Sequence, residues 1–338
     1  MPFGPRPSAE TDTGFDAVHA QSLAEPGRPA VPAGFAAGEF WASFRSAYGV
    51  RSGNTIWGRG SVRRAVRMLV SDRPCLMTAE PLLKIRLFEP LRVQLDDRPP
   101  IDEYYPRRKA KALFVYLYLN RGRLISKYQL LADLWPEAEN ADPGRVKHTV
   151  QVLRAALEGP RPAGGWHIIQ ERGGSYSFNV AAERYCDAED FEEEFFTARR
   201  ARQAGDSRLA LQHYRRCVEL HTGAFLAEFR YDDWAAVEIA RQGELFLQAL
   251  EEGGRLEAAE GNFGRAIDLL RQAILEDPLH ESSYVELMRC LWLEGRRTEA
   301  LRTYHRLREV LARRLEVEPQ AQTTRLYEAI RRDEALAG

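Results

Sequence analysis

The chain has 338 residues, 44% of them hydrophobic, and a formal net charge of -1, which fits two ordinary domains with buried cores. Cys75, Cys186, Cys217 and Cys290 are scattered, with no C-x-x-C pair and no histidine at zinc-finger spacing. That excludes a disulfide framework and a zinc module, and it fits a reducing cytoplasm. The longest apolar run, Ala112 to Leu119, is too short to span a bilayer, and the N-terminus lacks a charged-then-apolar leader pattern.

The near-zero net charge hides an asymmetry. Residues 107 to 154 carry ten Lys or Arg against four Asp or Glu, whereas residues 187 to 338 carry 22 Arg against 30 acids. All five lysines, Lys84, Lys109, Lys111, Lys127 and Lys147, lie in the first half. A polyanion-binding surface is therefore expected there and not in the C-terminal half.

Residues 1 to about 35 are rich in Pro, Gly, Ala and Ser without a sustained period, and disorder is expected. Gly38 to Tyr48 and Ser61 to Val70 each fit a short helix, but neither connects to an obvious core. The character changes at Met77, which reads as a translation start, so residues 1–76 form an expected N-terminal extension. Alternation at Leu83, Ile85, Leu87 and then Leu91, Val93, Leu95 predicts two small antiparallel strands.

Arg107 to Asn120 reads as a helix with a basic first turn and an apolar second half. Ser126 can N-cap a second helix carrying Leu130, Leu131, Leu134 and Trp135, stopped by Pro136. Asp142-Pro143 supplies an N-cap and a first-turn proline for a third helix, in which Val146, Val150, Leu153 and Leu157 form one apolar stripe. Ile168 to Asn179 then predicts a hairpin around Gly173-Gly174. Three helices followed by a Gly-turned hairpin make a winged helix, a unit that sets one helix in a DNA major groove with a wing beside it.

From Asp187 onward the pattern is helical and repeats. Gly261 to Ile267 recurs as Gly295 to Leu301, a displacement of 34 residues, and Gly205-Asp206 with Ala210-Leu211 is an earlier copy. That period marks tetratricopeptide helix pairs, whose stacking forms a groove. The expected fold is mainly α with a small β part: a winged helix-turn-helix domain over residues 77–181, then an all-α tetratricopeptide-like helical repeat domain over 187–332. Cutting at Asp187 is expected to leave a folded winged helix.

On the third helix the side opposite the apolar stripe carries His148, Gln151 and Val152, flanked by Arg145, Lys147 and Thr149. Arg and Gln suit bidentate pairing with guanine and adenine edges, and Lys or Thr suits phosphate. A solvated helix face is the plain alternative, and the surrounding winged-helix order favours DNA. Arg172 precedes the hairpin turn and could enter a minor groove or remain a solvated hairpin arginine. Arg107, Arg108, Lys109 and Lys111 read as phosphate contacts or solubilising charge.

Enzyme motifs are missing. None of the five lysines follows Gly, so no Walker A loop is present, and Gly58-Arg59-Gly60 lacks the third glycine of a dinucleotide fingerprint. His280 to Tyr284 approaches a zinc-protease helix until Tyr284 stands where the second His is needed. No catalysis, cofactor or metal is expected.

The chain resembles the SARP-type (AfsR-like) bacterial transcriptional activators, which join an OmpR-type winged helix to a bacterial transcriptional activator domain. The likeness covers about residues 82 to 332. It rests on Leu87 to Val93, Arg108 to Leu119, Leu130 to Pro136, Val146 to Leu157 with Leu153-Arg154, and Arg172 to Phe178. In the helical half it rests on Asp190-Phe191, Gly223, Phe225-Leu226, Trp234, Arg241, Glu276-Asp277-Pro278, Gly295-Arg296, Tyr304 and Leu326-Tyr327. Two positions depart from the family pattern: Glu89 stands where the first hairpin has Gly, and Ser175 replaces the second Gly of the wing turn.

The resemblance implies a cytoplasmic, sequence-specific activator without a phosphorylation input. Its loop Glu137 to Asp142, with Glu139 and Asn140, would touch RNA polymerase at the sigma subunit. The helical domain would pair two copies as a homodimer on direct repeats of double-stranded DNA. The rival reading is an interaction scaffold, in which the tetratricopeptide groove binds a protein and the winged helix is a protein-contact module.

Overall fold

The computed structural model describes residues 82–95, 108–137, 142–162, 164–182 and 184–334. They belong to one compact unit, Thr78–Gly338. The expectations for residues 1–76, including the start at Met77, lie outside the described residues, as do Arg107, Glu139 and Asn140.

Strands β1 (Leu83–Arg86) and β2 (Arg92–Leu95) pair antiparallel with Ile85 opposite Val93, and their alternating inward residues are buried. A third strand, β6 (Arg184–Cys186), joins β1 in parallel with Leu83 opposite Arg184. Three residues among polar neighbours carry too short a pattern to reveal this strand in sequence.

Helix α1 (Arg108–Leu119) buries Leu113, Phe114, Val115, Leu117 and Tyr118. Two-residue strand β3 (Ile125–Ser126) leads into α2 (Lys127–Leu134), where Ser126 Oγ accepts the Gln129 N–H at 3.1 Å as its N-cap. Helix α3 (Gly144–Glu158) starts one residue later than expected: Pro143 occupies the cap, and the Asp142 carboxylate accepts the Gly144 N–H at 2.8 Å. Strands β4 (Ile169–Arg172) and β5 (Ser175–Phe178) form the hairpin, with β3 completing a sheet in the order β3-β5-β4. Gly173 and Gly174 take the two positive-φ sites of the turn, at 57° and 77°. Ser175 therefore needs no glycine, because it lies in β5 opposite Arg172 and Ser126.

The helical half pairs α4 (Asp187–Gln203) with α5 (Ser207–Leu220), α6 (Asp233–Ala259) with α7 (Phe263–Glu276), and α8 (Glu281–Leu293) with α9 (Arg297–Leu315). Helix α10 (Ala321–Arg332) packs on the last pair. The repeated glycines close each pair in the same way. Gly205, Gly261 and Gly295 have φ of 81°, 80° and 78°, and the next residue's N–H returns to a carbonyl five positions back. This αL stop is what the 34-residue recurrence encodes.

The two halves share one apolar core. A continuous cluster of buried residues runs from Leu83 through Leu113, Val146 and Phe178 to Phe195, Phe229, Phe246 and Ala273, while a second begins at Ala266 and ends at Ile330. The turn between β1 and β2 is inserted into the helical half: Phe88 bridges Phe225, Leu226 N–H donates to Leu87 O at 3.0 Å, and Glu89 N–H donates to Ala224 O at 3.2 Å. A Cβ on Gly223 would stand 3.0 Å from Glu89 Cβ, so the side chain at 89 is accommodated by the glycine facing it. The buried Asp187 carboxylate accepts N–H bonds from Leu87 at 2.8 Å, Phe88 at 3.3 Å and Ala188 at 2.8 Å. A cut at Asp187 removes these partners, so the expectation of a self-sufficient winged helix does not fit this core.

Candidate nucleic-acid interface

Helix α3 is fixed by one side and open on the other. Val146, Val150, Leu153, Arg154 and Leu157 are buried, whereas Arg145, Lys147, His148 and Gln151 are exposed and Thr149 and Val152 are half-buried. The side opposite the buried stripe is therefore open to solvent. Among the described residues, the side chains of Arg145, Lys147, His148, Gln151 and Arg172 have no hydrogen-bond or ion-pair partner. The Thr149 hydroxyl donates to Arg145 O at 2.8 Å, which leaves it only as an acceptor. Arg172 is exposed at the end of β4 beside the turn.

The basic start of α1 has other partners. Arg108 pairs with Asp232, donates to Glu228 O at 3.1 Å, and lies 5.6 Å from the Phe229 ring centre. Lys111 Nζ is 3.0 Å from Glu228 Oε1. Lys109 donates to Leu134 O and lies over Trp135, tying α1 to the end of α2. These three charges are engaged inside the protein and are not a free phosphate-binding patch. Of the loop between α2 and α3, Glu137 and Asp142 are both exposed, and the Asp142 carboxylate accepts the Gly144 N–H just ahead of the first turn of α3.

Two residues to which the sequence reading gave no role attach α3 to the wing. Arg154, 8% exposed at its side chain, donates from Nε and Nη2 to Ile169 O at 3.0 and 2.8 Å. Glu158 accepts from His167 N–H at 2.7 Å and Ile168 N–H at 3.0 Å. The available signal was a charge standing inside the apolar stripe of α3.

Among the described residues no cluster of His, Cys, Asp or Glu could hold a metal ion, and no helix is long and apolar enough to cross a membrane. Cys186, Cys217 and Cys290 are buried, and burial pushes each thiol up, Cys290 to about 11 and Cys186 to about 12. None is a nucleophile at neutral pH.

Two family models match this chain in the order of its two halves. "Transcriptional regulatory protein, C terminal" matches residues 103–178, and "Bacterial transcriptional activator domain" matches residues 186–331. The chain belongs to the SARP-type family of bacterial transcriptional regulators. It is 29% identical over 228 residues to Regulatory protein AfsR of Streptomyces coelicolor, covering 67% of this chain and 22% of that one. Regulatory protein DnrI of Streptomyces peucetius is 26% identical over 230 residues, covering 67% of this chain and 84% of that one. The chain therefore spans about a fifth of AfsR and most of DnrI. In fold it is similar to Mycobacterium tuberculosis EmbR, solved with a low-affinity phosphopeptide, at a TM-score of 0.64 and 24% identity, over 76% of this chain and 67% of that one.

Proposed function

We propose that this SARP-type regulator is a cytoplasmic activator that binds promoter DNA through α3. The observation that carries this reading is the row Arg145, Lys147, His148 and Gln151, exposed and uncommitted on a helix whose opposite face is locked in the core. Arg145, His148, Gln151 and Val152 would read base edges in the major groove. Lys147 would hold the phosphate backbone, whereas the Thr149 hydroxyl, whose one proton goes to Arg145 O, has none left for a phosphate oxygen. Arg172 would reach the adjacent minor groove from the wing. By family resemblance, the loop Glu137 to Asp142 would contact RNA polymerase through its sigma subunit, and the helical half would pair two copies on direct repeats.

Selecting bound duplexes from a random pool tests this reading. A repeated consensus whose affinity falls steeply with salt supports it. Recovery of no consensus, with salt-insensitive capture of protein partners instead, would support the scaffold.

A further inference from the structure

We propose that Arg154 is a positioning residue: it sets the wing relative to α3, so that Arg172 and the base readers of α3 meet DNA as one pre-set unit. This rests on the DNA-binding reading above. The side chain leaves α3 on its buried side, where an aliphatic residue would complete the stripe of Val146, Val150, Leu153 and Leu157. A guanidinium there must be matched by partners, because a buried unpaired charge is strongly unfavourable.

All its partners belong to the wing. Nε and Nη2 converge on the Ile169 carbonyl at the start of β4, and Nη1 is 3.5 Å from Glu171 Oε2 in the same strand. The guanidinium also lies 5.4 Å from the Trp166 ring centre, just before β4, and 5.8 Å from that of Tyr176 in β5. One turn further along α3, Glu158 accepts the N–H groups of His167 and Ile168. Three consecutive residues entering the wing are thus fastened to one helix.

The topology makes this attachment matter. In the order β3-β5-β4, strand β4 is an edge, so among the described residues its outer side is steadied by α3 side chains and not by another strand. Arg172 stands three residues beyond Ile169, about 10 Å at the rise of a strand. A tilt of about 10° at the Arg154 pivot therefore moves Arg172 by about 2 Å, enough to spoil a recognition geometry.

The test is a double-mutant cycle on the duplex selected above, with circular dichroism confirming the fold of each variant. In the otherwise unaltered protein, Arg172→Ala should weaken binding about tenfold. In the Arg154→Met background the same change should matter less than about twofold, while Gln151→Ala retains its full effect. Should Arg154→Met fail to fold, Arg154→Lys keeps the charge and one donor, and the effect of Arg172→Ala should fall to about threefold. An unchanged tenfold effect in the substituted background overturns the proposal. So does an Arg172→Ala effect that is absent from the start, or a Gln151→Ala effect lost together with that of Arg172, because Arg154 would then be holding α3 itself. Failure of the DNA-binding reading is distinct, since the unaltered protein would then select no duplex.

Discussion

Lys111 Nζ lies 3.0 Å from Glu228 Oε1, joining the first helix of the winged helix to the segment between α5 and α6. Arg108 and Asp232 repeat the link beside it, and Phe88 and Phe225 meet below it at 5.8 Å between ring centres. The ion pairs are partly exposed and contribute about 1 kcal/mol or less each. The aromatic burial is the larger share, since truncating a buried Phe costs about 3 to 5 kcal/mol. Glu228→Ala with Asp232→Ala should therefore lower stability only slightly. A fragment ending at Cys186 should lack a cooperative melt and bind a hydrophobic dye. A sharply melting fragment would show that the shared core is dispensable.

Helix crossing in the repeats gives a paired prediction. A Cβ on Gly254 would fall 2.9 Å from Leu270 Cγ in the α6–α7 contact, whereas one on Gly243 meets nothing within 4 Å. Gly254→Val should destabilise by about 2 to 3 kcal/mol through overpacking. Gly243→Ala should stabilise by up to about 1 kcal/mol through helix propensity. Denaturant unfolding of both variants reads the two signs directly.

His221 should make the junction acid-sensitive. Its ring stacks on Phe246 at 3.5 Å between centres and faces Phe88 at 4.7 Å, and burial lowers its pKa from 6.5 to about 4. The folded state keeps the imidazole neutral while the unfolded chain takes up a proton near pH 6.5. Stability is therefore lost as pH falls from 6.5 toward 4. Between pH 7.5 and 5 the loss from this group is about 2 kcal/mol. His221→Phe should remove that increment from the difference between urea unfolding at the two pH values. An identical pH dependence in the variant would contradict the buried, neutral ring.

The loop before α3 should act on transcription and not on DNA affinity. Acidic side chains beside a DNA-binding helix repel phosphate and suit a protein partner. Glu137→Ala with Glu139→Ala should spare duplex binding yet lower transcript yield with purified polymerase. Unchanged yield would remove this loop from the activation step.

Much of this architecture was legible because it is periodic. The stripe of α3, the Ser126 cap, the Gly173-Gly174 turn and the 34-residue recurrence each impose a local pattern that the chain must display. What the pattern could not show is where periods break. Gly205 and Gly261 are 56 positions apart, and the surplus holds the 221–232 segment that grips Phe88, Arg108 and Lys111. For the same reason the basic start of α1 read as phosphate contacts or solubilising charge, since the acidic partners of Arg108 and Lys111 lie over a hundred residues away. Arg154 entered the sequence reading only within the family likeness, because its two shortest bonds go to a backbone carbonyl, which no side-chain pattern reveals.

If base reading and backbone contact are divided along α3, salt titrations of two variants on specific and scrambled duplexes separate them. Gln151→Ala should cost about 1 to 3 kcal/mol on the specific duplex alone and relax preference at one base position. Lys147→Ala should weaken both duplexes alike and reduce the salt slope by about one unit. The contrary result is a Gln151→Ala loss shared by both duplexes with a base preference altered by Lys147→Ala, which would mean that α3 does not present this face to the major groove.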